Sequence, residues 1–123
     1  GAAVMAARRG GRRFVTVGHS FGGALAVQAG VALGPMAAGV VTASTQTGGC
    51  EEADALTCPV LHLHGDEDRI LPHMASEMVQ MVSGGQLVIL RGGGHTLAEV
   101  DEEVHAILGE WIPARFAEPA AGS

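Results

Sequence analysis

The sequence predicts an α/β fold: a parallel sheet of about four strands with helices on both faces. Three observations lead there. Short runs rich in Val, Ile and Leu alternate four times with helical stretches. The runs are apolar at consecutive positions rather than at every second one, as strands covered on both faces are. The chain has 123 residues, 47% hydrophobic and 16% charged, a composition that suits one packed core and not a disordered segment.

Along the chain, Ala2–Arg9 reads as the tail of a helix ended by Gly10 and Gly11. Arg13–Val17 is the first strand, with Gly18 directly after it. Phe21–Leu33 is apolar on nearly every side, as a buried helix is, and Gly34-Pro35 stops it. The stretch Phe21–Val41 has the length of a bilayer span, but it carries Gln28 and that break, so no membrane association is expected. Gly39–Ser44 is the second strand, Cys50–Leu56 a short helix and Pro59–His64 the third strand. His73–Met81 is a helix whose apolar positions are Met74, Met78 and Met81, and Gln86–Leu90 is the fourth strand. Leu97–Ile112 is an amphipathic helix with Val100, Val104, Ile107, Leu108 and Trp111 on one face. Residues 113–123 read as a frayed tail, leaving 11–112 as the core of a single domain.

Composition excludes several chemistries. Lys is absent, which removes a phosphate loop with its Lys and any Schiff-base Lys. Tyr is absent and Phe scarce, so the stacking platforms of a single-strand nucleic-acid binder are missing. Tyr, Asn and Lys all have AT-rich codons, and their joint absence points to a GC-rich bacterial genome. Net charge is −6, divided as +4 over the first 50 residues and −10 over the rest. The basic cluster Arg8, Arg9, Arg12 and Arg13 is expected to be a solvated turn rather than an anion site. Cys50 and Cys58 make neither a disulfide framework nor a zinc site. No basic-then-apolar leader opens the sequence, and a cytoplasmic setting is expected.

Chemistry concentrates first at Gly18-His19-Ser20-Phe21-Gly22, a Gly-x-Ser-x-Gly run between an apolar strand and an apolar helix. That is the setting of a nucleophile elbow, in which a strained turn lifts the serine hydroxyl out of the sheet edge. The residues two before and two after must be small, and both are Gly. The turn sets Ser20 at a helix N-terminus and aims the Phe21 amide at a developing oxyanion. A serine nucleophile needs a base and the base an orienting acid, in the chain order Ser, acid, His. The loop after the third strand offers Asp66, Glu67 and Asp68, and the loop after the fourth offers His95.

The pieces GHSFGG, PVLHLHGDEDRILP and GGGH followed by an amphipathic helix resemble the α/β-hydrolase superfamily over about Gly11 to Ile112. In that family the acid lies three residues after the strand-terminal Gly, which selects Asp68. The resemblance implies a serine hydrolase of esters or thioesters, with Ser20 as nucleophile, His95 as base, Asp68 as orienting acid and no cofactor. Only Thr45–Thr57 lies where family members insert a lid, which suggests a capless enzyme similar to small esterases and dienelactone hydrolases. Ser20 replaces the Cys of dienelactone hydrolase and the Asp of haloalkane dehalogenases and epoxide hydrolases, so those two chemistries are disfavoured.

The family core has eight strands, and its second oxyanion donor follows the third. Arg13–Val17 corresponds to the fifth, so the chain reads as the carboxyl-terminal half of such a domain. One edge of that strand is then expected to be unpaired and the following helix partly uncovered. Self-association of the isolated chain is the expected result.

The remaining candidates have plainer readings. His19, the variable residue of the elbow, is expected to line the substrate pocket, and Gln46, in the loop after the second strand, reads equally as pocket lining or as an exposed loop amide. His62 and His64 share one face of a strand. His62-Leu63-His64-Gly65-Asp66 resembles the start of the metallo-β-lactamase run, but Glu67 stands where its last His would be. A metal-dependent hydrolase on these two residues is one alternative function, and a non-catalytic binding protein on the same scaffold is the other. His73 and His105 read as ordinary helix residues.

Overall fold

The computed structural model describes residues 4–9 and 12–117 of the chain. The elements are β1 (Val4–Arg9), β2 (Arg13–His19), α1 (Phe21–Leu33), β3 (Ala37–Ala43), β4 (Val60–Gly65), α2 (Met74–Ser83), β5 (Gln86–Leu90) and α3 (Asp101–Ala117). The strands form one sheet in the order β1-β2-β3-β4-β5. The last four strands are parallel, as expected, and β1 adds an antiparallel neighbour to β2.

β1 corrects the helix expected over Ala2–Arg9. Local Ala-rich propensity is overridden by six backbone pairings, from Val4 opposite Gly18 to Arg9 opposite Arg13. Only three positions separate the two strands in the sequence, a length that suits antiparallel neighbours. Ala2 and Gly10-Gly11 lie outside the described residues. The unpaired edge expected on the Arg13–Val17 strand is therefore not there: β1 and β3 pair with β2 on its two sides.

Side chains alternate across the sheet and fill two cores. On one face Val15, Val41, Leu61, Leu63 and Leu90 pack with Leu97 and Val100, and α3 lays Val104, Ile107, Leu108, Trp111, Ile112 and Phe116 over them. On the other face Val40 and Val60 meet Ala24, Ala26 and Val27 of α1, Cys50 and Ala53 of the β3–β4 loop, and Val79 of α2. The Thr16 hydroxyl donates to the Ala26 carbonyl at 2.9 Å and fastens β2 to α1.

α1 begins and ends where the sequence predicts, closed by Gly34 at φ 55°. One of its faces is buried, while Phe21 and Gln28 are exposed, so the helix is not covered all round. Its 13 residues give way to a 3₁₀ turn and then β3. Among the described residues no helix is long and apolar enough to cross a membrane.

Two further elements depart from expectation by more than a residue or two, and α2 turns a polar residue inward. The helix expected at Cys50–Leu56 shrinks to a 3₁₀ turn, Ala53–Ala55. α3 runs through Pro113 to Ala117 instead of fraying there. Pro113 forgoes the bond to the Gly109 carbonyl, but Arg115 stacks 4.5 Å over the Trp111 ring and Phe116 packs on the core, holding the last turn. On α2 the inward residues are Ser76 and Val79, while Met74, Met78 and Met81 are 59%, 59% and 79% exposed.

Candidate active site

Ser20 follows β2, the Asp66–Asp68 loop follows β4 and His95 follows β5, so all three come from the carboxyl edge of the parallel strands. The ladder runs on past the strand ends, with the Ser20 amide on the Ala43 carbonyl (2.8 Å) and the Ser44 amide on the Leu63 carbonyl (2.8 Å).

The elbow is strained as the motif requires. Ser20 sits at φ 58°, a left-handed conformation rare for a side chain other than Gly. Although Ser20 occupies the N-cap position of α1, its side chain makes no capping bond. A Cβ on Gly18 would run into the Gly22 carbonyl, which is why the turn needs Gly there. Phe21 is the first residue of α1, and its amide has no carbonyl to bond within the helix. Its ring is exposed.

The Ser20 hydroxyl lies 2.9 Å from His95 Nε2, and His95 Nδ1 lies 2.8 Å from Asp68 Oδ2. The carboxylate accepts at Nδ1, so the ring proton sits there and the bare Nε2 accepts from the serine. Asp68 is closed to solvent, and its other oxygen accepts the backbone N–H groups of Ile70 (2.9 Å) and Leu71 (2.8 Å). Burial pushes the Asp68 carboxyl up. The Leu71 amide, the His95 ring and the Ile70 amide together outweigh that and hold its pKa below the usual carboxylate value.

The acid and histidine loops are joined by backbone. Asp66 and Glu67 amides donate to the Leu90 and Gly93 carbonyls at 3.1 and 3.0 Å, and Asp66 Oδ1 accepts the Gly92 amide at 2.8 Å. A Cβ on Gly65 would strike the Gly93 carbonyl, so the close approach depends on Gly at the end of β4. Asp66 thus closes the turn, and of the three acidic side chains in this loop Asp68 is the one bonded to His95.

His19 contacts the backbone of the histidine loop. Its Nε2 donates to the His95 carbonyl at 2.7 Å, with the two rings 5.2 Å apart. Gln46 does not join this group: its amide donates to the Gly48 carbonyl at 3.0 Å and closes its own turn. A surface cavity of about 350 Å³ opens beside His95, lined by Glu67, Arg69, Ile70 and Glu99.

His62 and His64 are both fully buried and have both ring nitrogens hydrogen-bonded. His62 meets Thr42 (2.6 Å) and Ser83 (2.9 Å), and His64 meets Ser76 (2.6 Å) and the Leu71 carbonyl (2.9 Å). Among the described residues no group of three or more His, Cys, Asp or Glu is placed to hold a metal. Sequence reasoning left two features unseen. His64 Nε2 is also 3.1 Å from Asp68 Oδ2, and Ser44 carries a left-handed φ of 53° and a buried hydroxyl without a partner. The tight Gly-x-Ser turn marks Ser20 in the sequence, but nothing local marks Ser44.

The dienelactone hydrolase family model matches residues 2–105. The chain belongs to that family. Among solved structures it is similar to Est1E from Butyrivibrio proteoclasticus (TM-score 0.74, 19% identity, covering 83% of this chain and 61% of that one). It is similar to esterase PE8 (TM-score 0.65, 28% identity, 78% and 49%). MGS-MChE2, an α/β-hydrolase enzyme from a lagoon-sediment metagenome in Morocco, has TM-score 0.68 at 18% identity, with 85% and 63% covered. The chain thus spans roughly half to three fifths of the length of these structures. No match was found among curated proteins. The architecture is that of α/β-hydrolases.

Proposed function

We propose that this member of the dienelactone hydrolase family carries the nucleophile, base and acid of a serine hydrolase acting on carboxylic esters or thioesters. The observation that supports it is the unbroken line from Ser20 through His95 to Asp68, with contacts of 2.9 and 2.8 Å. Ser20 Oγ attacks the acyl carbon while His95 Nε2 takes its proton, and the imidazolium is stabilised by Asp68. The negative oxygen of the tetrahedral intermediate turns toward the Phe21 amide. His95 then protonates the leaving oxygen or sulfur, an acyl group remains on Ser20, and water activated by His95 releases it.

The test is Ser20→Ala in the full gene product. Turnover of p-nitrophenyl esters should fall by about 10⁴-fold or more, and a fluorophosphonate probe should label the wild type and not the variant. Undiminished turnover and labelling would overturn the serine mechanism.

A further inference from the structure

His64 stands outside the proposed triad, yet it touches it. Its side chain and that of Asp68 are both closed to solvent, and Nε2 lies 3.1 Å from Asp68 Oδ2, the oxygen that His95 Nδ1 approaches at 2.8 Å. The tautomer follows from the partners. The Leu71 carbonyl, 2.9 Å from Nε2, can only accept, so the proton is on Nε2. Nδ1 is then bare and accepts the hydroxyl of Ser76, a buried residue of α2, at 2.6 Å. The Nε2–H is donated to the Leu71 carbonyl, and the same nitrogen lies 3.1 Å from Asp68 Oδ2.

We infer that His64 is a positioning residue for the acid: its ring, held by the Leu71 carbonyl through Nε2–H, lies against Asp68 Oδ2 so that the carboxylate presents that oxygen to His95. The inference rests on the proposed hydrolase reading. The Ile70 and Leu71 amides fix Oδ1, which leaves rotation about the carboxyl bond and the tilt of Oδ2 to be set by the groups facing it. Two imidazoles meet at that oxygen, one from β4 and one from the loop after β5. Only the second reaches Ser20. Ser76 has a supporting part, since its hydroxyl keeps the His64 proton on the nitrogen that faces the acid.

A rigid neutral ring suits the place. A cation there would compete with His95 for the carboxylate charge, and an apolar residue would take the polar ring edge away from a buried carboxylate oxygen. Removing the ring leaves more of the Asp68 charge to His95, which favours the imidazolium and moves the acid limb of activity to higher pH. The titratable and charged groups facing His95 are Asp68 and His19, in contact with it, and Glu67, Arg69 and Glu99 around the cavity beside it, and all stay unchanged in the variants below.

The experiment compares His64→Leu, which removes the polar ring edge, with His64→Gln, whose amide nitrogen can reach the position of Nε2, and with His62→Gln as a buried control on the same strand. All are made in the full gene product and assayed with a p-nitrophenyl ester over pH 5 to 9, alongside thermal midpoints. His64→Leu should lower kcat about 10- to 100-fold with KM little changed and shift the acid limb upward. His64→Gln should recover most of kcat and return the limb. His62→Gln should lose stability with kcat and limb unmoved. Ser76→Ala, the mildest change, should lower kcat several-fold with the limb displaced in the same direction, and it carries the test if His64→Leu does not fold. An unmoved limb and an unchanged kcat in the folded His64 and Ser76 variants would overturn the inference while Ser20→Ala still abolished turnover. Equal activity of wild type and Ser20→Ala would instead overturn the hydrolase reading itself.

Discussion

His62 and His64 stand two residues apart on β4, face the same side of the sheet, and are both fully buried against α2. Each meets a serine of that helix, Ser83 for one and Ser76 for the other. Their second partners differ. His62 finds the Thr42 hydroxyl, and burial pushes its pKa down to about 4, so it is neutral at ordinary pH. His64 finds a backbone carbonyl and a carboxylate. One strand thus places the same side chain, at the same burial, once among hydroxyls and once beside an acid. What separates a structural histidine from one coupled to the site is here the third contact, supplied by a loop that neither strand nor helix dictates.

The comparison breaks most visibly at the acid. Asp68→Asn should cost about 10⁴-fold in turnover, because an amide can hold His95 in the wrong tautomer. Asp66→Asn, which alters only a loop-closing bond to Gly92, should stay within a few-fold. Equal losses would mean that the acid lies elsewhere in the loop.

His62 sharpens the other side. The unfolded chain takes up its proton at the ordinary histidine value of 6.5 and the folded chain near 4, so acid favours unfolding between those pH values. The share lost by pH 4 is about 3 kcal/mol. Urea midpoints of His62→Gln should therefore depend less on pH over that window than those of the wild type. An unchanged slope would move the acid sensitivity to another group.

A smaller effect separates the two serines. Ser76→Ala and Ser83→Ala should each destabilise by about 1 kcal/mol, as one lost hydrogen bond does, but only the first should slow ester turnover. Smallest of all is Met81→Gln on the outward side of α2, where the midpoint should move by less than about 0.5 kcal/mol. A larger loss there would show that the exposed methionine has a partner.

The α2 helix also shows where the sequence misleads. Met74, Met78 and Met81 are its apolar positions at helical spacing, yet they face outward, and Ser76 and Ser83 meet the two imidazoles of the sheet below. The elbow was legible because its glycines and its serine must be neighbours in sequence, and α1 because Gly34-Pro35 ends it. β1 was not, since its pairing depends on a strand edge that no local pattern announces. Ser20, Asp68 and His95 could be ordered from motif logic alone. The anchoring contact of His64 could not, because it exists only once Asp68 folds back over β4.

The backbone bonds that join the Asp66–Asp68 loop to the loop before His95 have a mechanical consequence. Asp68 and His95 lie on two loops joined by the Glu67–Gly93 and Asp66–Leu90 bonds, whereas Ser20 lies between β2 and α1, two strands from β4. On that arrangement the Asp68–His95 distance is expected to change less than the gap between Ser20 and His95 when the sheet flexes. Among the described residues, the His19 bond to the His95 carbonyl is a tether across that gap from the residue next to the nucleophile. The amides of Asp66 and Glu67 should exchange with solvent together, and His19→Ala should loosen the serine-to-histidine distance while leaving their joint protection intact.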